Sequence, residues 1–159
     1  MMERPSLESA SRPALPELVT EVLGNLAFMV TDDHDARPPS EIAWLACEVN
    51  YYGPHAGALR CWCTRPFATA LAANLLGIEA DEEDARAAAE DALREFMNVL
   101  CGQLVTAWYG TTATYNLTIP IVQECLELPA FVQKRHADIH RLSVNQEPFF
   151  CLHEQAETL

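Results

Sequence analysis

Basic residues are scarce in this chain. Only 10 Lys and Arg stand against 23 Asp and Glu in 159 residues, for a formal charge of −13 and a pI near 4.6. This disfavours a general nucleic-acid binder, whose affinity rests on clustered cations against phosphates. It disfavours a binder of anionic membranes for the same reason, and free acidic small molecules are poor candidates for unassisted binding. Long hydrophobic runs are also missing. The longest, Leu23 to Val30, contains Asn25 and falls short of the roughly 20 apolar residues of a membrane span. Met1 to Pro16 mixes charges, serines and three prolines, without the apolar stretch of a signal peptide. A cytoplasmic protein without membrane insertion is the expectation.

The six cysteines, at 47, 61, 63, 101, 125 and 151, lack the two-residue spacing of zinc knuckles and redox motifs. Without a secretion signal they are expected as reduced, buried thiols. Cys61 and Cys63, one residue apart, would share one face of a strand. His136 and His140 are four apart, but their segment reads better as loop and strand than as a metal-binding helix.

Half of the residues are hydrophobic, enough for the core of one domain. Residues 1–14 read as a flexible tail and 15–159 as a single domain. Leu15 to Val30 is predicted helical from the stripe Leu18, Val22, Leu26 and Met29. Thr31 to Ser40 reads as a loop, and Glu41–Tyr51 and Ala58–Thr64 as a hairpin. Pro66 suits a helix start, with Thr64 or Arg65 before it and Gly77 after its end. Asp81 to Tyr109 is the longest predicted helix: it is rich in Ala, Glu and Arg, and its first residues are acidic, as the helix dipole prefers. Thr114–Val122 reads as a strand, and Ile139–Val144 with Phe149–His153 as a closing hairpin around Asn145–Pro148. This order predicts an α+β fold, a mixed and mainly antiparallel sheet with helices on one face. LGNLAF and FMNVLCG, each with a central Asn, hint at two duplicated halves.

The informative stretch is DALREFMNVLCGQLVTAWYG, residues 91–110. At about 100° per residue, Leu93, Phe96, Met97, Leu100 and Leu104 gather on one side. Asp91, Glu95, Asn98 and Gly102 gather opposite them, within an arc of roughly 60°. A glycine inside a helix costs roughly 1 kcal/mol relative to alanine and often marks close approach. With Val99, Cys101, Val105 and Thr106 beside it, the polar line reads as a contact ridge.

The pattern Asp91-x3-Glu95-x2-Asn98, followed by Pro120 in TIPIV, resembles the signature of the CheC/CheX/FliY phosphatases. LGNLAFMV and RPFATALAANLLG resemble segments of CheX-type chains, and Gly102 fits as well. The likeness spans about residues 15 to 154 and is closest to CheX. It implies the CheC-like fold and a hydrolase of bacterial chemotaxis, one that dephosphorylates a phosphorylated, CheY-like response regulator. In this reading Glu95 pairs with the regulator's active-site lysine, and Asn98 holds the attacking water in line with the aspartyl phosphate. Asp91, Gly102 and Pro120 fall to partner binding. Asp91 has two readings, orienting the helix start or solvating it, and Pro120 fixes the neighbouring strand. The resemblance implies no cofactor of the chain's own, with Mg²⁺ carried by the receiver domain, and it implies a homodimer, expected through sheet edges. CheC-type members carry two such sites. Here Asn25 has Val22 three residues before it and Glu21 four before it, a rotation of about 100° from the motif's acid, so one working site is expected.

The residue types suit this chemistry. Acyl-phosphate hydrolysis mainly needs positioning and charge stabilisation. An amide both donates to and accepts from water, and a carboxylate accepts from an ammonium. Two other readings stand beside it: a non-catalytic module that binds a receiver domain, and a metal or redox protein using Cys61, Cys63 and the histidines.

Overall fold

The computed structural model describes residues 12–32, 43–134 and 138–156. It begins with helix α1 (Leu15–Ala27), which has Pro16 in its first turn. The helix stops three residues short of the predicted Val30. Phe28 turns into the left-handed region at φ 55°, and the N–H groups of Phe28 and Met29 donate to the carbonyls of Gly24 and Leu23. The Asn74 amide donates to the Ala27 carbonyl at 2.8 Å, so the last turn is closed by a partner distant in sequence. The predicted loop then opens on a two-residue strand, β1 (Thr31–Asp32); its remainder, 33–40, lies outside the described residues. Of the predicted tail, residues 1–11 also lie outside them, while Arg12 stacks on the Trp108 ring at 3.8 Å.

Strands β2 (Trp44–Tyr52) and β3 (Gly57–Thr64) form the first hairpin. Helix α2 (Arg65–Leu76) follows directly. Its N-cap is Thr64, whose hydroxyl accepts from the Phe67 N–H, and Gly77 ends it at φ 70°. The same Thr64 hydroxyl donates to Glu147 Oε2 at 2.8 Å, tying this helix start to the last strand. The predicted long helix is two: α3 (Glu83–Ala87) and α4 (Ala89–Tyr109). Ala88, at φ −91° and ψ 0°, makes the joint. The acidic start serves the short helix, and no Gly or Pro marks the break.

The strand predicted over Thr114–Val122 is also two pieces, β4 (Asn116–Leu117) and β5 (Ile121–Cys125), both paired with β2. Tyr51 faces Leu117 while Glu48 faces Ile121, so the edge carries one residue more than its partner between these points. This is a β-bulge over Thr118–Pro120. Thr118 secures it: its N–H donates to the Asn50 carbonyl, and its hydroxyl accepts from the Asn50 N–H. Pro120, without an N–H, sits where the ladder is interrupted. After a short helix, α5 (Ala130–Gln133), strands β6 (His140–Val144) and β7 (Glu147–Gln155) close the chain. Their turn is only Asn145-Gln146, both at positive φ, so Glu147 and Pro148 belong to the strand rather than to the predicted turn.

Among the described residues, seven strands form one antiparallel sheet in the order β1-β6-β7-β3-β2-β4, with β5 beside β4 on β2. The hairpin of each half lies at the centre. The first strand after α1 crosses to the second hairpin, and the strands after α4 lie against the first. The outer strands thus cross between the two halves, each of which carries a long helix and a central hairpin.

Helices α1, α2 and α4 cover one face of the sheet. The core between them includes Leu45, Val49, Leu59, Phe67, Leu93, Phe96, Leu100 and Phe149. Cys47, Cys61, Cys63, Cys101 and Cys151 are buried in it and Cys125 is half-buried; all six are free thiols. Burial pushes Cys47 and Cys101 up to about 12, which leaves them protonated packing groups. The far face is covered in part by α5, over Trp44, Trp62 and Phe150.

A polar knot closes one end of this core. His153 Nε2 and the Tyr51 hydroxyl are 2.8 Å apart, and Tyr51 and Tyr109 share a hydrogen bond of 2.8 Å. Burial, with a further push from Arg12, lowers His153 to about 4, against about 6.5 in the unfolded chain. Between these values the unfolded state binds more protons. Stability from this group is complete above about pH 6.5 and falls as the pH drops toward 4. Denaturant midpoints measured across that window should fall more steeply for the wild type than for His153→Gln.

Candidate functional site

Helix α4 positions the candidate residues. Its inward side buries Leu93, Phe96, Met97, Leu100 and Leu104, as the periodicity required. Fixing that side fixes the other: Asp91, Glu95 and Asn98 are exposed, and Gly102 is half-buried next in line. The buried stripe drifts around the helix toward its end. Cys101 and Val105 are buried, so they support the line from within rather than flank it, and Tyr109 packs against Tyr115. Thr106, one turn beyond Gly102, is exposed and continues the accessible line.

Among the described residues, neither Glu95 nor Asn98 makes an ion pair or a side-chain hydrogen bond. Both are free to address a partner. Asp91 differs: Arg94 Nη1 donates to its carboxylate at 2.7 Å. An i, i+3 pair of this kind fits a helix surface, and its spacing, Asp-x2-Arg, is visible in the sequence. Arg94 is the only basic residue of α4. A second charged node lies beside this end of the helix, where Arg65 bridges Glu124 at 2.9 Å and Glu90 at 3.2 Å. Those carboxylates, Glu124 foremost, raise the Arg65 pKa.

Among the described residues, nothing requires Gly102 to be glycine. A Cβ built there meets nothing within 4 Å, and its φ is not positive. Among the described residues, close approach within the chain, one reading of this glycine, is therefore absent. Pro120 is set apart from the line, buried in the bulged sheet edge, and α4 packs across β2, β4 and β5.

Glu21 and Asn25, far from the long helix in sequence, lie beside it in the fold. Helices α1 and α4 run antiparallel: Trp108 Nε1 donates to the Pro13 carbonyl, and farther along a groove opens between the helices. Glu21, Val22, Asn25 and Leu26 line it from α1, and Val99 and Gln103 from α4. Such a pairing depends on how two helices register against each other, which no local pattern encodes.

Among the described residues, no group of three or more His, Cys, Asp or Glu side chains could hold a metal ion. His136 lies outside them, and His140 is in strand β6. No described helix is long and apolar enough to cross a membrane.

A family model described as chemotaxis phosphatase CheX matches residues 45–146. Solved structures share the fold at low identity. A chemotaxis protein CheX from Desulfovibrio desulfuricans is 17% identical, with a TM-score of 0.63 over 89% of this chain and 96% of that one. A chain of the CheX–CheY–BeF3–Mg²⁺ complex from Borrelia burgdorferi is 15% identical, with a TM-score of 0.59 over 90% and 96%. FliY from Thermotoga maritima is 11% identical, with a TM-score of 0.55 over 96% and 91%. No curated protein sequence matches the chain.

Proposed function

The chain belongs to the chemotaxis phosphatase CheX family, and from this premise we propose that it accelerates hydrolysis of the aspartyl phosphate on a CheY-like receiver domain. The observation that carries the reading is the pair Glu95 and Asn98, one turn apart on the exposed line of α4 and without a partner among the described residues. Glu95 accepts from the receiver's lysine and sets the register of docking. Asn98 enters the receiver's site, where its amide orients a water toward phosphorus. Water is the nucleophile, so the chain needs no activated side chain of its own. The Mg²⁺ that neutralises the phosphoryl charge belongs to the receiver. A homodimer of such chains, cytoplasmic and acting in two-component signalling, completes the proposal.

Gly102 fits the same docking. With open space at its Cβ, its small size serves whatever lies against the helix from outside. Gly102→Ala should stabilise the fold by about 1 kcal/mol, a rise of about 2–4 °C in Tm, while weakening association with the receiver. Calorimetry and a binding titration on one preparation would read the two opposite effects.

The test of function is a panel of phosphorylated receivers from the same organism, each followed for loss of phosphate with and without the protein. Accelerated release from at least one is the expected result. Binding without faster release would favour the non-catalytic module.

A further inference from the structure

The groove between α1 and α4 is continuous with the proposed docking line, and its role rests on the function proposed above. Its volume is about 160 Å³, roughly five waters at about 30 Å³ each, which is room for one long side chain. The walls are apolar low down, where Val22 is 5% exposed and Leu26 and Val99 are half-buried. The rim is polar: Glu21, Asn25 and Gln103 are exposed. Among the described residues, Glu21 is the only charged one of the lining, and no ion pair engages it. On α4, Glu95, Val99 and Gln103 form an i, i+4 row, each about 6 Å along the axis from the last. A partner seated on Glu95 therefore reaches the groove in just over one helical turn.

We infer that this groove is a specificity pocket for a lysine or arginine side chain of the receiver domain, with Glu21 as its selecting residue. Apolar walls under an anionic rim match a side chain with a methylene stem and a cationic head. The stem lies along Leu26 and Val99, the head meets the Glu21 carboxylate, and the amide oxygens of Asn25 and Gln103 accept its remaining N–H groups. A second phosphatase site does not fit the same geometry. Glu21 and Asn25 are four apart rather than three, which turns the acid about 100° from its place in the Glu95–Asn98 arrangement. The groove thus serves the one site on α4, selecting its substrate rather than repeating its chemistry.

Glu21→Lys, an exposed change, should raise KM for the best receiver of the panel about tenfold and leave kcat within about twofold, as charge reversal at an interface rim does. The defect should shrink in high salt, where screening shortens to about 3 Å at 1 M; a merely structural change would not respond this way. Asn98→Ala, measured alongside, should lose kcat instead. If Glu21→Lys leaves KM unchanged while Asn98→Ala is inactive, the pocket is wrong and the function stands. If Glu21→Lys lowers kcat at constant KM, Glu21 belongs to the chemistry and the pocket is again wrong. If the wild type accelerates no receiver, the function fails and the pocket fails with it.

Discussion

Asn98→Ala is expected to return the receiver's phosphate loss to its unassisted rate, a fall of about 100-fold or more in the accelerated component. The size reflects what the residue does in the proposed mechanism. Where the nucleophile is water and the protein contributes mainly placement, small misplacements cost on the order of 100-fold. The substitution leaves the molecule otherwise intact. Asn98 is exposed, and alanine is the better helix former, by up to about 0.7 kcal/mol. The thermal transition should hold or rise slightly while activity disappears. Glu95→Ala should differ in kind, weakening productive docking, so that some of its deficit is recovered at high receiver concentration. Single-turnover loss of labelled phosphate across a receiver titration separates the two. An Asn98→Ala variant with full activity would overturn the assigned mechanism.

Phe149→Ala carries the largest expected effect on stability. The side chain is fully buried. Its ring meets Phe67 of α2 at 5.2 Å and Phe96 of α4 at 5.8 Å, so it joins the sheet to both helices. Truncating a buried Phe costs about 3–5 kcal/mol, against a total of about 5–15 kcal/mol for a typical domain. In a chain of this size that is a drop of about 6–20 °C in Tm. Phosphatase activity should be lost with the fold on warming, in parallel with the circular-dichroism signal. Asn98→Ala, by contrast, loses activity in a folded protein. Activity persisting past the melting transition of Phe149→Ala would contradict the dependence of the site on this core.

Legibility in the sequence tracks the range of the forces involved. The start of α2 was legible, because Thr64 caps with its own hydroxyl three residues from Phe67 and Pro66 suits that turn. The exposed line on α4 was legible, because burial of Leu93, Phe96 and Leu100 at helical spacing dictates where Glu95 and Asn98 must point. Elements held by distant partners were not. Strand β1 is two residues long and exists through its pairing with Ser143 and Val144. The end of α1 depends on Asn74, the bulge at Pro120 on Asn50, and the joint at Ala88 on packing rather than on a breaker residue. Glu21 was visible, but its neighbours across the groove were not.

The crossing of strands between the halves bears on how the chain folds. Each central hairpin forms between near neighbours in sequence, and the two-residue turn at Asn145-Gln146 favours early closure of the second. The outer strands must then travel: Thr31 finds Val144, and Glu48 finds Ile121. Contacts of such long range are slow to form, because loop closure comes before any gain from pairing. They also leave neither half with a complete sheet of its own. The sheet beneath Glu95 and Asn98 is therefore completed only when each half has received its outer strands from the other.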